Sequence, residues 1–279
     1  MSHVWSRSLL LSRGQIAEIS GVSSHTLAFW LRNEILVPSS GGHGSGSHKK
    51  FHPIQATIAA IFGKLQAIGL NIAALKAISD IIQTGVRVGL STNLQPYSIL
   101  AAVETKKSLL DLELGKQVRL WNVSSDTDKE LFANKPEDLL KDLEAGRPEF
   151  DLAEDIYEFA RKIEEDQFMG LKAFSEIKSA MEGLDWSNPS WLLWQDQHGS
   201  WQISSQTEPG EQFSRHPDAD TGIFLAMGTI VRAVWNIDLH EIKIEQTKRA
   251  IPELLRTNPE RADRLMKRLA EMKARKSND

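Results

Sequence analysis

The chain contains no cysteine. That absence removes disulfides, thiolate metal sites, iron–sulfur clusters and cysteine nucleophiles, and with them thiol-based redox or metal sensing. No apolar run approaches the roughly 18–20 residues that a membrane-spanning helix needs. The opening MSHVWSRSLLLSRGQ has only Leu9 to Leu11 as an apolar stretch, too short for a signal peptide. The expectation is therefore a cytoplasmic protein with no membrane partner. Catalytic signatures are lacking too. Acidic clusters such as Asp126/Asp128 and Glu164-Glu165-Asp166 have no nearby histidine or glycine-framed pocket, so they read as solvated helix faces and no catalytic residue is assigned. GGHGSGSHK neither fits the GxxxxGK[ST] spacing nor follows a strand, so no cofactor is expected. There is no internal repeat.

What is present is length and an uneven distribution of charge. A chain of 279 residues exceeds the usual single domain, which predicts two or three. The formal net charge of −4 hides an asymmetry: residues 1–90 hold eight Lys and Arg (Arg7, Arg13, Arg32, Lys49, Lys50, Lys64, Lys76, Arg87) against Glu18, Glu34 and Asp80. That is a net of +5, leaving −9 for the rest, and five of the eight histidines also lie in the basic part. Such a division suits one part to a polyanion.

From Leu11 to Asn33 the pattern reads helix, tight turn, helix. Ser12 is placed to cap RGQIAEIS, Ile16, Ala17 and Ile19 supply its inward face, and Gly21 is suited to the left-handed conformation that ends it. Ser23 or Ser24 then caps HTLAFWLRN, in which Leu27, Trp30 and Leu31 recur at helical spacing. This is the helix-turn-helix layout. After Ile35-Leu36-Val37-Pro38, the run SSGGHGSGSHKKFH reads as a flexible hairpin tip with a basic return limb. Pro53 opens an apolar helix over Ile54 to Ala67, Asn71 caps another through Ile82, and Ser98 to Gly115 is amphipathic.

Farther on, Val118–Val123 alternates like a strand, and Pro136 to Glu144 is a short helix ended by Gly146. Asp151-Leu-Ala-Glu154 is a capping box opening one long acidic helix towards Gly183. Trp191–Trp194 and Trp201–Ile203 flank a hairpin turn at His198-Gly199, and residues 206–221 read as a loop. Ile223 to Leu239 is strand or helix; periodicity does not decide. The chain ends in a basic helix carrying Ala262, Leu265, Leu269 and Met272 on one side, a second nucleic-acid contact or, preferred, an oligomerisation helix. The predicted fold class is mainly α with minor β, a winged helix-turn-helix followed by an α+β region of unassigned fold. Three parts are expected: a DNA-binding domain at 1–90, a connecting or dimerisation helix at 91–115, and a regulatory or oligomerisation region at 116–279.

The segment IAEISGVSSHTLAFWLRNEILVPS, then HKKFH, then IQATIAAIFGKLQAIGLNIAALKAI, resembles the DNA-binding domain of the MerR family of bacterial regulators over about residues 11–82. Thr26-Leu27, Phe29-Trp30, Arg32 and Ile35-Leu36 match the family's second-helix pattern, Lys49 falls where its wing arginine is expected, and Phe51 where an aromatic is expected. Ala28 stands where members carry an arginine that meets DNA. Glu34 stands where they carry a helix-ending glycine, so Asn33 is expected to take the left-handed conformation instead. The resemblance implies a sequence-specific transcriptional regulator, dimeric through a long helix, with double-stranded DNA as partner and a small-molecule or protein effector as a further possibility. An excisionase-like DNA-bending protein, or an enzymatic or effector-binding C-terminal domain carrying the helix-turn-helix, are the alternatives.

A recognition helix presents its N-terminal polar residues to base edges while its apolar face is held from behind. Ser24, His25, Ala28 and Arg32 take the outward positions; Thr26 and Trp30 are candidates to donate to phosphates through hydroxyl and indole N–H. His48, Lys49 and Lys50 on the wing limb, and Arg13 at the start of the first helix, are candidates for the backbone. His43, His48 and His52 are of a type that binds zinc, but the loop supplies no other fixed ligand and no metal site is assigned. For Trp121, Trp186, Trp191, Trp194, Trp201 and Trp235, core packing with a partner-facing patch is preferred over an effector pocket.

Overall fold

The computed structural model describes residues 10–40, 49–120, 132–146, 152–182, 190–206, 222–235 and 266. The chain divides into two units, Met1–Val234 and Trp235–Asp279; Trp235 and Met266 are the described residues of the second. Described residues are mainly helical with three small sheets, as the sequence predicts.

Strand β1 (Leu11–Ser12) leads directly into α1 (Arg13–Ser20). Ser12 Oγ accepts the Gln15 N–H, and the Gln15 side chain accepts the Ser12 N–H in return, which satisfies two of the amides a helix start leaves open. Gly21, at φ 70°, ends the helix and returns its N–H to the Ala17 carbonyl at 3.0 Å. The left-handed residue turns the chain in three positions into α2 (Ser24–Arg32), capped by Ser23.

The end of α2 differs from the expectation. Asn33 stays at φ −95° because its side-chain amide donates back to the Phe29 carbonyl at 2.9 Å. The reversal falls on Glu34, at φ 55°, after which the Ile35 N–H bonds the Trp30 carbonyl at 2.9 Å. Ile35 and Leu36 are thereby returned to the core.

Strand β2 (Lys50–Phe51) pairs antiparallel with β1, Leu11 opposite Phe51 and Ser12 opposite Lys50. Ser40 bridges to Lys50 from the other side, so Lys50 lies between Ser40 and Ser12 of β1. Next comes α3 (Ile54–Ala67), buried on nearly every side of its first ten residues. Its neighbour α4 (Ile72–Ser91) starts at the expected Asn71 cap but runs nine residues beyond the predicted end at Ile82.

The extension passes through Gly85 and Gly89, a pattern that alone disfavours a helix. Packing overrides it. The partner is α8 (Phe168–Glu182), and the two helices meet backbone to backbone: a Cβ on Gly85 would lie 1.8 Å from the Gly170 carbonyl oxygen, and one on Gly170 2.3 Å from that of Ile81. Helix α5 (Pro96–Glu113) lays Ile99, Ala102 and Val103 into the interior and packs on α7 (Ala153–Lys162) and α8. Of the helix's leucines, Leu109 is buried, Leu110 and Leu112 are half-buried and Leu114, at its end, is exposed.

A satellite cluster under α5 joins Leu109, Ala133 and Leu139 through β3 (Val118–Arg119), β4 (Phe132–Ala133) and α6 (Pro136–Gly146). The predicted strand is two residues long as far as Leu120; residues 121–123 lie outside the described residues. The single long helix predicted from Asp151 is two. Buried Ile163 adopts an extended conformation (φ −71°, ψ 137°), and Glu164 forms a capping box with Gln167 that starts the chain again through a 3-10 turn into α8. Asp151 lies outside the described residues, and Leu152, at the N-cap of α7, makes no side-chain cap.

The predicted hairpin is present as β5 (Ser190–Gln195) and β6 (Trp201–Gln206), with Gly199 at φ 75°. Asp196 closes its turn by accepting the N–H groups of Ser200 and His198, both at 2.9 Å, and these bonds, Ser200 foremost, hold its carboxyl below the usual range. The ambiguous apolar stretch is both alternatives in sequence: β7 (Gly222–Leu225) pairs with β5 in the order β6-β5-β7, then α9 (Met227–Trp235) follows. Trp191 and Trp194 are core residues, the Trp191 indole donating to Glu176 on α8 at 2.6 Å; Trp201 and Trp235 are half-buried. Trp121, Trp186, the loop 207–221 and the basic helix expected at the C-terminus, Met266 apart, lie outside the described residues.

Candidate nucleic-acid interface

The interface predicted from sequence involves α2 and the β1–β2 ladder. Ser24, His25, Ala28, Phe29 and Arg32 recur at i, i+1, i+4, i+5 and i+8, which puts them on one strip of the helix. All are exposed except Ala28, which is half-buried. The opposite strip, Leu27 and Trp30, is enclosed, and it anchors the helix on the domain. Thr26 lies between, half-buried, its hydroxyl 2.8 Å from Ser23 Oγ and its N–H donated to the same oxygen at 3.1 Å.

Trp30 must be taken off the set of contact residues. Its side chain is fully buried and stacks edge-on against Phe62 with ring centroids 6.3 Å apart. Its indole N–H has no hydrogen-bond partner among the described residues, and a donor enclosed in the core does not reach a phosphate. The helical spacing of Leu27, Trp30 and Leu31 already points to this inward role.

Cations gather at the entrance to α1. Arg13 follows Ser12, which sits opposite Lys50 in the β1–β2 ladder, so the ladder brings Arg13 beside Lys49 and Lys50. Arg13 and Lys49 are exposed and Lys50 is half-buried. His48 and His43 fall outside the described residues.

Lys76 on α4 pairs with Asp80 of the same helix and approaches Glu34, just past the end of α2, at 3.9 Å. His52 is neutral in character. Its Nδ1 accepts the Ile54 N–H at 3.3 Å; burial, with the Lys178 ammonium of α8 adding to it, lowers its pKa from 6.5 to about 4. Among the described residues no group of three His, Asp or Glu could hold a metal ion.

A polar network fixes the segment that follows α2. Ser79 Oγ and Gln83 Nε2, both on α4, donate to the Ile35 carbonyl at 2.7 and 3.1 Å, and Gln83 and Gln55 exchange amide bonds at 2.8 and 2.9 Å. Gln55 also accepts the Val37 N–H at 3.2 Å. Sequence reasoning does not foresee this network, since the donors are polar residues on helices that read as apolar. It also leaves Phe29 without a separate role, although its spacing of four from His25 and three from Arg32 is the signal that puts it on the exposed strip.

Residues 11–80 match the family model described as MerR HTH family regulatory protein. The N-terminal segment is a MerR-type helix-turn-helix. The match spans a quarter of the chain and agrees with the resemblance read from the sequence over residues 11–82. MerR regulators are DNA-binding transcription regulators, which gives the broad class of this segment. No curated protein matches the chain. Among the described residues no helix is long and apolar enough to cross a membrane.

Proposed function

We propose that the chain is a sequence-specific transcriptional regulator, not an enzyme, that binds operator DNA as a homodimer through its MerR-type segment, with the region beyond α4 serving control. The observation that supports it most is the exposed strip of α2, with Ser24, His25 and Arg32, standing on the same small domain as the Arg13, Lys49 and Lys50 cluster. Base-edge readers on a helix and phosphate-binding cations on a wing are complementary parts of one kind of interface. Ser24, His25 and Arg32 are proposed to reach base edges. Thr26, Arg13, Lys49, Lys50 and, on the wing limb, His48 are proposed for the backbone.

Homodimerisation and a cytoplasmic, nucleoid-associated location rest on the family resemblance. So does a small-molecule or protein effector. The test is selection of duplexes from a random pool with the full-length protein, followed by mobility shift. The expected result is an inverted-repeat site bound at least 1,000-fold more tightly than competitor DNA, the lower end for specific regulators at about physiological salt. Equal affinity for all duplexes would remove the regulator reading.

A further inference from the structure

We infer that Phe29, with Ala28 beside it, makes α2 a reader of thymine, through apolar contact with the C5-methyl group in the major groove. The inference rests on the DNA-binding reading above and names what that helix selects. The exposed strip of α2 is polar at both ends, with Ser24 and His25 at one and Arg32 at the other, but apolar in the middle. Phe29 is 39% exposed where Leu27 and Trp30 on the same helix are at 0%.

A phenyl ring offers no hydrogen-bond donor or acceptor, so Phe29 has nothing to give a phosphate or a base-edge heteroatom. The apolar group that a base pair displays in the major groove is the thymine methyl. Ala28 adds a single methyl and no long side chain that would compete for the space, and the Phe29 carbonyl is held by the Asn33 amide, which fixes this last turn of the helix. The exposed cations Arg13 and Lys49 of the same domain supply the attraction to phosphates that an apolar contact lacks.

The experiment takes the duplex selected by the full-length protein and replaces each thymine in turn by uracil, which removes only the methyl. The wild-type protein is expected to bind at least one such duplex about fourfold more weakly, the equivalent of about 0.8 kcal/mol for one buried methyl. Phe29→Ala is expected to bind thymine and uracil duplexes equally, and Phe29→Leu, which keeps an apolar side chain there, to retain a preference for thymine. Thermal unfolding and binding to competitor DNA verify that the variants are folded.

Unchanged wild-type affinity at every uracil position overturns the inference while leaving the regulator reading in place, as does discrimination that persists in Phe29→Ala. A selected site without an A·T pair does the same. No preferred duplex at all overturns both. The wild-type comparison alone suffices if Phe29→Ala fails to fold.

Discussion

Arg32 and Lys49 are both exposed cations, yet they stand on different supports, and the difference is measurable. Arg32 projects from a capped helix packed on the core, with a fork of donors able to hold a guanine edge. Lys49 stands just before β2 as a point charge, proposed for phosphate. Arg32→Ala should relax specificity at one position and cost about 1–3 kcal/mol there, whereas Lys49→Ala should weaken all duplexes alike and reduce the salt slope by about 1. Indistinguishable behaviour of the two variants in mobility shifts would show that these roles are misassigned.

At Glu34 the backbone itself is tested. A side chain at φ 55° carries a left-handed cost of about 1 kcal/mol, set against an exposed ion pair with Lys76 worth less. Glu34→Gly is expected to stabilise by about 0.5–1 kcal/mol in urea unfolding. A loss of stability would mean that the turn is not strained.

Helices α4 and α8 form a close joint. Their backbones approach at Gly85 and Gly170, and the joint continues where Phe174 covers Gly89. Gly85→Ala cannot be absorbed by rotating a side chain, because the obstructing atom is the Gly170 carbonyl. The helices must separate, and the expected cost is about 2–3 kcal/mol, roughly 5–10 °C in Tm. A melting temperature at or above the wild-type value would refute the joint. The same residues explain why α4 was legible only in part. Asn71 and the apolar spacing mark its start, but glycine reads as a helix end until the second helix that requires it is in place.

For the whole molecule the charge division becomes directional. The chain's net charge is −4 while residues 1–90 carry +5, so the proposed attraction to DNA is assigned to the basic N-terminal part. With Arg13, Lys49 and Lys50 each neutralising one phosphate in both protomers of the proposed dimer, log K against log salt should fall with a slope of about −5. A slope shallower than about −2 in filter-binding titrations would show that these residues do not face the backbone.

The same scale sets the acid response. His52, directly after β2, is held neutral by burial and by Lys178 from α8, so its folded pKa of about 4 lies below the unfolded 6.5. The unfolded chain therefore takes up the proton first, and stability contributed above pH 6.5 is lost as pH falls towards 4. After allowance for the part of the ring that water screens, the loss is about 1–2 kcal/mol. His52→Asn, whose side-chain oxygen can still accept the Ile54 N–H, should flatten that slope in urea midpoints taken from pH 7.5 to 4.5; an unchanged slope would assign the acid loss to other groups.

Local chemistry made the N-terminal segment readable. Ser12, Gly21, Ser23 and Asn71 act within one helical turn of their own positions, and the spacing of Leu27, Trp30 and Leu31 fixes which face of α2 turns inward whatever lies behind it. Long-range packing decided the rest. The break at Ile163, the continuation of α4 through two glycines, the burial of the α5 face and the clamp of Ser79 and Gln83 on Ile35 each depend on a partner distant along the chain. A sequence states which groups need satisfying, but the fold selects the partner that satisfies them.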